Sequence, residues 1–352
     1  MMEFGVGLWG MQATRLATRH HANLYQEMIE DCQYAEELGF HSLWLTEHHF
    51  WYDGYCPSLL VGLGALAAAT KRIKIASGLV LLPMHDPLRV AEQAAVVDQL
   101  SGGRLILGFG NGYRDAEFDG FGLRRRDRGA RLSEQFSILK SAWTEETFSF
   151  SGKHFNYNNV SVTPRPVQKP HPMVMVGSSP VYAPAIRRAA KHGFGLLLPP
   201  TLGVDQFREG IRIWEEAARE AGHDVAKMRA EKQVRMGLCY DVWVDETNNK
   251  AEKILGNLRY LYREQLGGWR FLVDAENNPI GFDRPEILDQ TVDYVVSSAA
   301  VGSPTKVIRQ LKRYEEAGMD FFCARVRWDS TPRPELHRCM RLLAKEVMPA
   351  FA

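Results

Sequence analysis

The run "LWLTEHHF" ends in Glu47, His48, His49 and Phe50. A carboxylate beside two imidazoles does either proton transfer near neutral pH or metal binding. Successive side chains of an extended chain face opposite sides, so His48 and His49 do not aim into one site together. The sequence contains no HExxH, and its spacing supplies no third and fourth ligand, so no metal is expected. Two readings of His48 stay open: an acid/base group, or a hydrogen-bonding corner that stabilises a strand tip.

Three other tips carry chemistry of their own. In "IASGLVLLPMHDP", Ser77-Gly78-Leu79 interrupts an apolar strand, where a residue without Cβ lets backbone approach a flat ligand or simply forms a bulge. In "LGFGNGYRDAEFDGFG", Gly108, Gly110 and Gly112 surround Asn111 and Tyr113, the pattern of a backbone anion nest. In "VGSSPVYAP", Gly177, Ser178 and Ser179 lead a strand straight into a helix, with Ser179 as N-cap and Pro180 at the first helical position. That is a phosphate seat or a plain cap; Ser303-Pro304 repeats the local chemistry after a longer connection. "LRRRDRGAR", residues 123–131, either grips an anion or is solvated. Arg325 and Arg327 alternate beside Trp328 and present a guanidinium to a site or form an ion pair. Trp9, Phe50, Trp51, Tyr52 and Trp328 suit a planar or greasy ligand, or packing.

These tips need elements that bring them to one place. Apolar β-type runs alternate with helical periodicity along the chain, in about eight strand-then-helix units, each long enough for a right-handed crossover. The predicted fold is α/β: a single TIM (β/α)8 barrel domain over residues 1–352, whose strand ends share one rim. A doubly wound sheet ranks lower, because the glycines of "GVGLWGMQ" lie inside the first strand and not after it. Two insertions are expected, a hairpin with its connector at about 149–172 after the fourth strand and a lid loop at about 267–301 after the seventh.

The chain has 352 residues, is 45% hydrophobic and 24% charged, and carries a net charge of +1, so neither nucleic acid nor an acidic membrane is an expected partner. Cys32, Cys56, Cys239, Cys323 and Cys339 form no CxxC, which fits reduced thiols in the cytoplasm. "MMEFGVGLWGMQ" shows no basic stretch followed by an apolar one, and no window reaches about 18 consecutive apolar residues, so neither a signal peptide nor a membrane span is expected.

"LWLTEHHF", the long stretch from "KRIKIASGLVLLPMHDP" through "GRLILGFGNGYRDAEFDGFG", and "HPMVMVGSSP" together resemble the bacterial luciferase-like flavin-dependent monooxygenases. The resemblance runs along nearly the whole chain. It implies a flavin at the barrel rim, usually reduced FMN delivered by a separate reductase, and a homodimer. It makes His48 the catalytic residue, sets the Gly78–Leu79 bond as a cis peptide under the flavin ring, makes Asn111 and Tyr113 flavin contacts, and puts Gly177, Ser178 and Ser179 at the phosphate. Trp9, Phe50, Arg327 and Trp328 are the substrate-pocket candidates. The expected activity is a two-component monooxygenase that uses reduced FMN and O2 to oxygenate a small organic substrate. The luciferases have an arginine at the position of Asn111 and a cysteine at that of Gly110, so this chain holds a phosphate differently. The deazaflavin F420 with hydride transfer is therefore an alternative, as is a non-catalytic flavin-binding protein.

Overall fold

In a computed structural model the chain is described at residues 2–15, 19–178, 183–199, 203–270, 272–274, 278–328 and 331–352. The strands are β1 (Glu3–Trp9), β2 (Ser42–Leu45), β3 (Lys74–Ser77), β4 (Leu105–Phe109), β5 (Phe148–Ser151), β6 (Asn156–Val160), β7 (Met173–Gly177), β8 (Gly195–Leu198), β9 (Met236–Val244), β10 (Ala300–Gly302) and β11 (Phe321–Arg325). β11, β1, β2, β3, β4, β7, β8 and β9 pair in that order, and β9 pairs back to β11. All eight contacts are parallel, so the sheet closes into a TIM barrel. β10 adds to the outside of the ring on β9, and β5 with β6 forms a separate antiparallel hairpin.

Alternation along the strands divides the apolar residues into two cores. Trp44, Ala76, Ile106, Met175, Leu197, Cys239, Phe321 and Cys323 fill the barrel, while Leu43, Leu45, Phe322 and Ala324, one position away, join the layer under the helices. Helix ends follow local chemistry. The helix Pro87–Ser101 starts where the Asp86 side chain accepts from the Leu88 and Arg89 N–H groups, and stops at Gly102 in the left-handed conformation, φ 64°.

The stretch 267–301 differs from the expected loop. The helix Leu255–Trp269 reaches into it, and it holds the helix Pro285–Ser298 and the start of β10. Pro285 opens that second helix, and Leu288, Val292 and Val295 form its buried stripe. Among the described residues no helix is long and apolar enough to cross a membrane.

At the rim, Ser77 replaces ladder bonds between β3 and β4: its Oγ donates to the Gly108 carbonyl at 3.0 Å and accepts from the Gly108 N–H at 2.8 Å. A Cβ on Gly108 would lie 2.1 Å from the Ser77 carbonyl oxygen, which is backbone and cannot swing aside. Gly108→Ala is therefore expected to lower the urea unfolding midpoint by the equivalent of about 1–3 kcal/mol, as overpacking does. A midpoint equal to wild type would show that the two strands separate without cost.

Candidate active site

β2 ends at Leu45, and the chain continues as an extended tip whose Thr46 N–H donates to the Trp9 carbonyl at 3.1 Å. His48 is buried there, held at both ring nitrogens. Nδ1 lies 2.8 Å from Glu117 Oε1, and Nε2 lies 3.1 Å from the Tyr113 hydroxyl. The same Glu117 oxygen accepts from the His49 backbone N–H at 3.0 Å and from Arg114 Nη1 at 3.1 Å, and Arg114 also donates to the His49 carbonyl at 2.8 Å. Burial alone would raise the Glu117 carboxyl, but the hydrogen bond and charge of His48, the His49 N–H and Arg114 outweigh it and hold the group below its ordinary value. Glu117 is thus an anion that fixes the imidazole with Nδ1–H toward it and leaves Nε2 for proton exchange. Tyr113 is pushed up by its burial and stays a neutral hydroxyl.

Aromatic rings enclose this pair. Trp269, Tyr55 and Tyr113 have centroids 4.4, 4.8 and 5.5 Å from that of His48. The Arg114 guanidinium lies over Trp269 at 4.8 Å and over Trp51 at 5.4 Å, so the cation that neutralises Glu117 also pins the end of the helix Leu255–Trp269 across the rim.

The neighbouring side chains take the other face of the tip. Glu47 Oε1 accepts from Nε2 of His49 at 2.9 Å and of His85 at 2.8 Å. These three ligand atoms lie within 4.8 Å of one another, the one such group among the described residues, and spacing alone did not disclose it. In this arrangement the two N–H groups already satisfy the carboxylate oxygen. Burial favours neutral forms of both partners, yet their mutual hydrogen bond wins: Glu47 is lowered and His85 raised.

A glycine-lined platform lies beside His48. The Gly78–Leu79 bond is cis, as is Gly7–Leu8. The Leu79 side chain rests on Gly108, Gly110 and Gly177, and a Cβ on Gly177 would lie 2.0 Å from Leu79 Cδ1. Next to it, a cavity of about 540 Å³ is lined by Asn111, Arg125, Arg126, Arg128 and Arg188 among others. Asn111 Oδ1 is buried with no hydrogen-bond partner among the described residues. Arg128 donates to the Gly112 carbonyl at 2.9 Å, and Arg125 pairs with Asp115 at 3.0 Å. An acceptor without a donor among the described residues, a leucine side chain seated on glycines and four guanidiniums fit a flat cofactor carrying a phosphate.

The structure thus brings His48 to Tyr113, and Gly78 and Leu79 to Gly110 and Gly177, with Asn111 at the arginine cavity. Ser178 is half-buried at the end of β7; Ser179 lies outside the described residues. The four substrate-pocket candidates sit elsewhere. Trp9 Nε1 donates to Asp31 at 3.2 Å, and Arg327 lies 3.6 Å from Glu27; both line a small enclosed cavity under the helix His21–Glu37. Trp328 packs on Trp243 at 5.6 Å in the outer core, and Phe50, 57% exposed, packs on Phe121 at 5.1 Å. β11 ends at Arg325, so the in-and-out alternation does not extend to Arg327. Arg325 is the inward residue, bonded to Asp241 and to the Tyr262 hydroxyl. Glu117, Arg114, Tyr55, Trp269, His85 and Arg188 carry no such signal in the sequence. The spacing of Arg114 and Glu117, three apart, is the one exception.

The profile of the luciferase-like monooxygenase family matches residues 2–320. The chain is 26% identical over 340 residues to the oxygenase component of a flavin-dependent trigonelline monooxygenase from Acinetobacter baylyi, covering 94% of this chain and 90% of that protein. It is 27% identical over 310 residues to an F420-dependent glucose-6-phosphate dehydrogenase from Amycolatopsis mediterranei, covering 84% of this chain and 86% of that one. The solved structure of the monooxygenase RslO1 from Streptomyces bottropensis superposes with a TM-score of 0.83 at 26% identity, over 100% of both chains.

The Glu47–His85 pair has a pH signature. Raised His85 contributes stability that is fully present below the ordinary imidazole value of 6.5 and is lost as pH climbs through its higher folded value. Lowered Glu47 contributes stability present above the ordinary carboxylate value of 4.5 and lost as pH falls through its depressed one. Melting temperatures of wild type and His85→Gln should differ most between about pH 5 and 6.5 and approach each other toward about pH 9. A gap that stays constant across that range would refute the ion pair.

Proposed function

Because the chain belongs to the luciferase-like monooxygenase family, we propose that it is the oxygenase component of a two-component system, using reduced FMN and O2 to oxygenate a small organic substrate. The observation that carries this reading is the His48–Glu117–Tyr113 network, together with the Leu79 side chain seated on glycines and an arginine-lined cavity. A bound reduced flavin supplies the electrons and the centre that activates O2. The protein's residues do the rest. Arg128, Arg188 and Arg126 hold the phosphate, and Asn111 Oδ1 gains the donor it lacks. Leu79 and the glycines under it support the ring. His48 Nε2 holds or delivers a proton while Glu117 fixes its tautomer, and Trp269, Tyr55 and Tyr113 exclude water around it. A separate reductase and a homodimer belong to the same proposal, as does the cytoplasm, in keeping with five free, buried cysteines.

The second reading is F420-dependent hydride transfer. It is favoured by the dehydrogenase relative and by an anion cavity that would serve either cofactor's phosphate.

Two measurements test the proposal. Arg128→Ala and Arg188→Ala should each weaken FMN binding by about 10-fold or more and leave riboflavin, which has no phosphate, within about 2-fold; equal losses for both ligands would move the phosphate elsewhere. With reduced FMN, ¹⁸O₂ and a panel of aldehydes, ketones and N-heterocycles, label should enter a product. His48→Ala and Glu117→Gln should cut that turnover by about 10²-fold with FMN affinity retained. No labelled product, together with oxidation of reduced F420 by the same panel, would replace the monooxygenase reading with hydride transfer.

A further inference from the structure

The opposite pole of the barrel holds a second large groove, of about 590 Å³, walled by residues that precede three of the barrel strands. Lys169, His171 and Met173 lead into β7, His192 and Gly193 into β8, and Lys232 and Gln233 into β9. Lys140 of the helix Arg128–Thr144 and Lys227 of the helix Val225–Ala230 complete it. The strand ends that carry His48 and the arginine cavity lie at the other pole, so this groove belongs to neither.

Its charge is one-sided. Four lysines and three histidines line it against one carboxylate, Asp224, which is spent capping the Lys227 backbone N–H at 3.0 Å. Lys232 reaches Glu3 at 3.3 Å and Lys227 reaches Glu231 at 4.0 Å, but among the described residues no carboxylate lies within ion-pair distance of Lys140 or Lys169. Lys169 donates only to the Pro166 carbonyl at 3.3 Å, and the ammonium of half-buried Lys140 has no hydrogen-bond partner among the described residues. Arg212, by contrast, bonds both Glu209 and Glu216.

Two imidazoles inside the groove are held toward their neutral form, first by burial. Burial, then Lys140, Lys191, Arg188 and His223, push His192 down to about 4, and burial with Lys140 lowers His171. Both rings are held by packing, His192 stacked on Phe194 at 5.7 Å and His171 edge-on to it at 5.7 Å. The four lysines thus border one concave space, with His171 and His192 in its wall.

We propose that this groove binds a small polyphosphate anion, with Lys140 and Lys169 as its principal contacts and Lys227 and Lys232 at the rim. Ammonium groups spread over several elements suit a chain of phosphates better than a single carboxylate, and the volume falls within the range of small-ligand sites, about 300–1,000 Å³. The ligand is either an inorganic polyphosphate or the phosphate chain of a nucleotide. The site is independent of the flavin reading.

The test uses the full-length protein, titrated with inorganic tripolyphosphate and with ATP, and read by calorimetry and by NMR of the histidine rings. Binding should raise the His192 titration midpoint. Lys140→Glu with Lys169→Glu should weaken affinity by at least about 10-fold, whereas Arg128→Ala, in the flavin-side cavity, should change it by less than about 2-fold. Similar affinities for both probes identify the phosphate chain as the ligand, and a preference for ATP identifies a nucleotide. If circular dichroism shows the double variant unfolded, Lys140→Ala and Lys169→Ala are measured singly. No binding up to about 10 mM, an unmoved His192, or a loss that follows Arg128 and spares the lysines would each overturn the proposal.

Discussion

One carboxylate oxygen organises the rim. Glu117 Oε1 gathers His48 Nδ1, the His49 backbone N–H and Arg114, while Oε2 has no partner among the described residues. A buried anion of this kind persists only while its donors stay in place, since removing one partner leaves an uncompensated charge that costs about 3–5 kcal/mol. The constraint therefore runs outward from the oxygen. It fixes the imidazole's tautomer, ties the β2 tip to the segment after β4, and through Arg114 orders Trp51 and Trp269. The helix Leu255–Trp269, more than 200 residues away in sequence from His48, is thereby drawn over the site.

The two faces of the tip solve the same problem with different chemistry. On one side Glu117 is held by His48, the His49 backbone N–H and Arg114, and Arg114 is a cation at any pH. On the other side Glu47 has only His49 and His85, and its neutralisation depends on imidazoles. The alternation of an extended chain keeps these networks apart, so His49 stabilises the tip without competing for the position that His48 serves.

How much of this was legible follows from what each residue depends on. The barrel was readable because strand-then-helix alternation is a local pattern, and His48, Asn111 and Tyr113 because they stand directly at strand ends. Glu117 reads in "RDAEFDG" as one of three similar carboxylates. Only tertiary burial separates it from Asp115, the side chains being 0% and 68% exposed. Trp269 and His85 reach the site from other units of the fold, where no spacing relates them to His48. The direction in which Trp9, Arg327 and Trp328 point is not legible in the sequence for a complementary reason. Their aromatic and cationic character was read correctly, but whether a side chain faces the mouth or the helices depends on where the strand stops, and β11 stops at Arg325.

The absence of an arginine at position 111 is the most informative departure from the luciferases, and the structure gives it a physical form. A short amide at the strand end opens the cavity toward the connection after β4, where Arg125, Arg126 and Arg128 stand, and toward the helix Ala183–Lys191, which contributes Arg188. The positive charge at this cavity thus comes from outside the barrel wall. An arginine at position 111 would be fixed by the barrel wall itself, whereas these four are carried by a loop and by helices outside the wall, with Arg128 braced on the Gly112 carbonyl and Arg188 on the Ser133 hydroxyl. Guanidiniums braced from outside leave a cavity of about 540 Å³ beside Asn111. On the proposed reading, the bracing of Arg128 and Arg188, and not the leucine platform, would decide which phosphate-bearing tail the rim accepts.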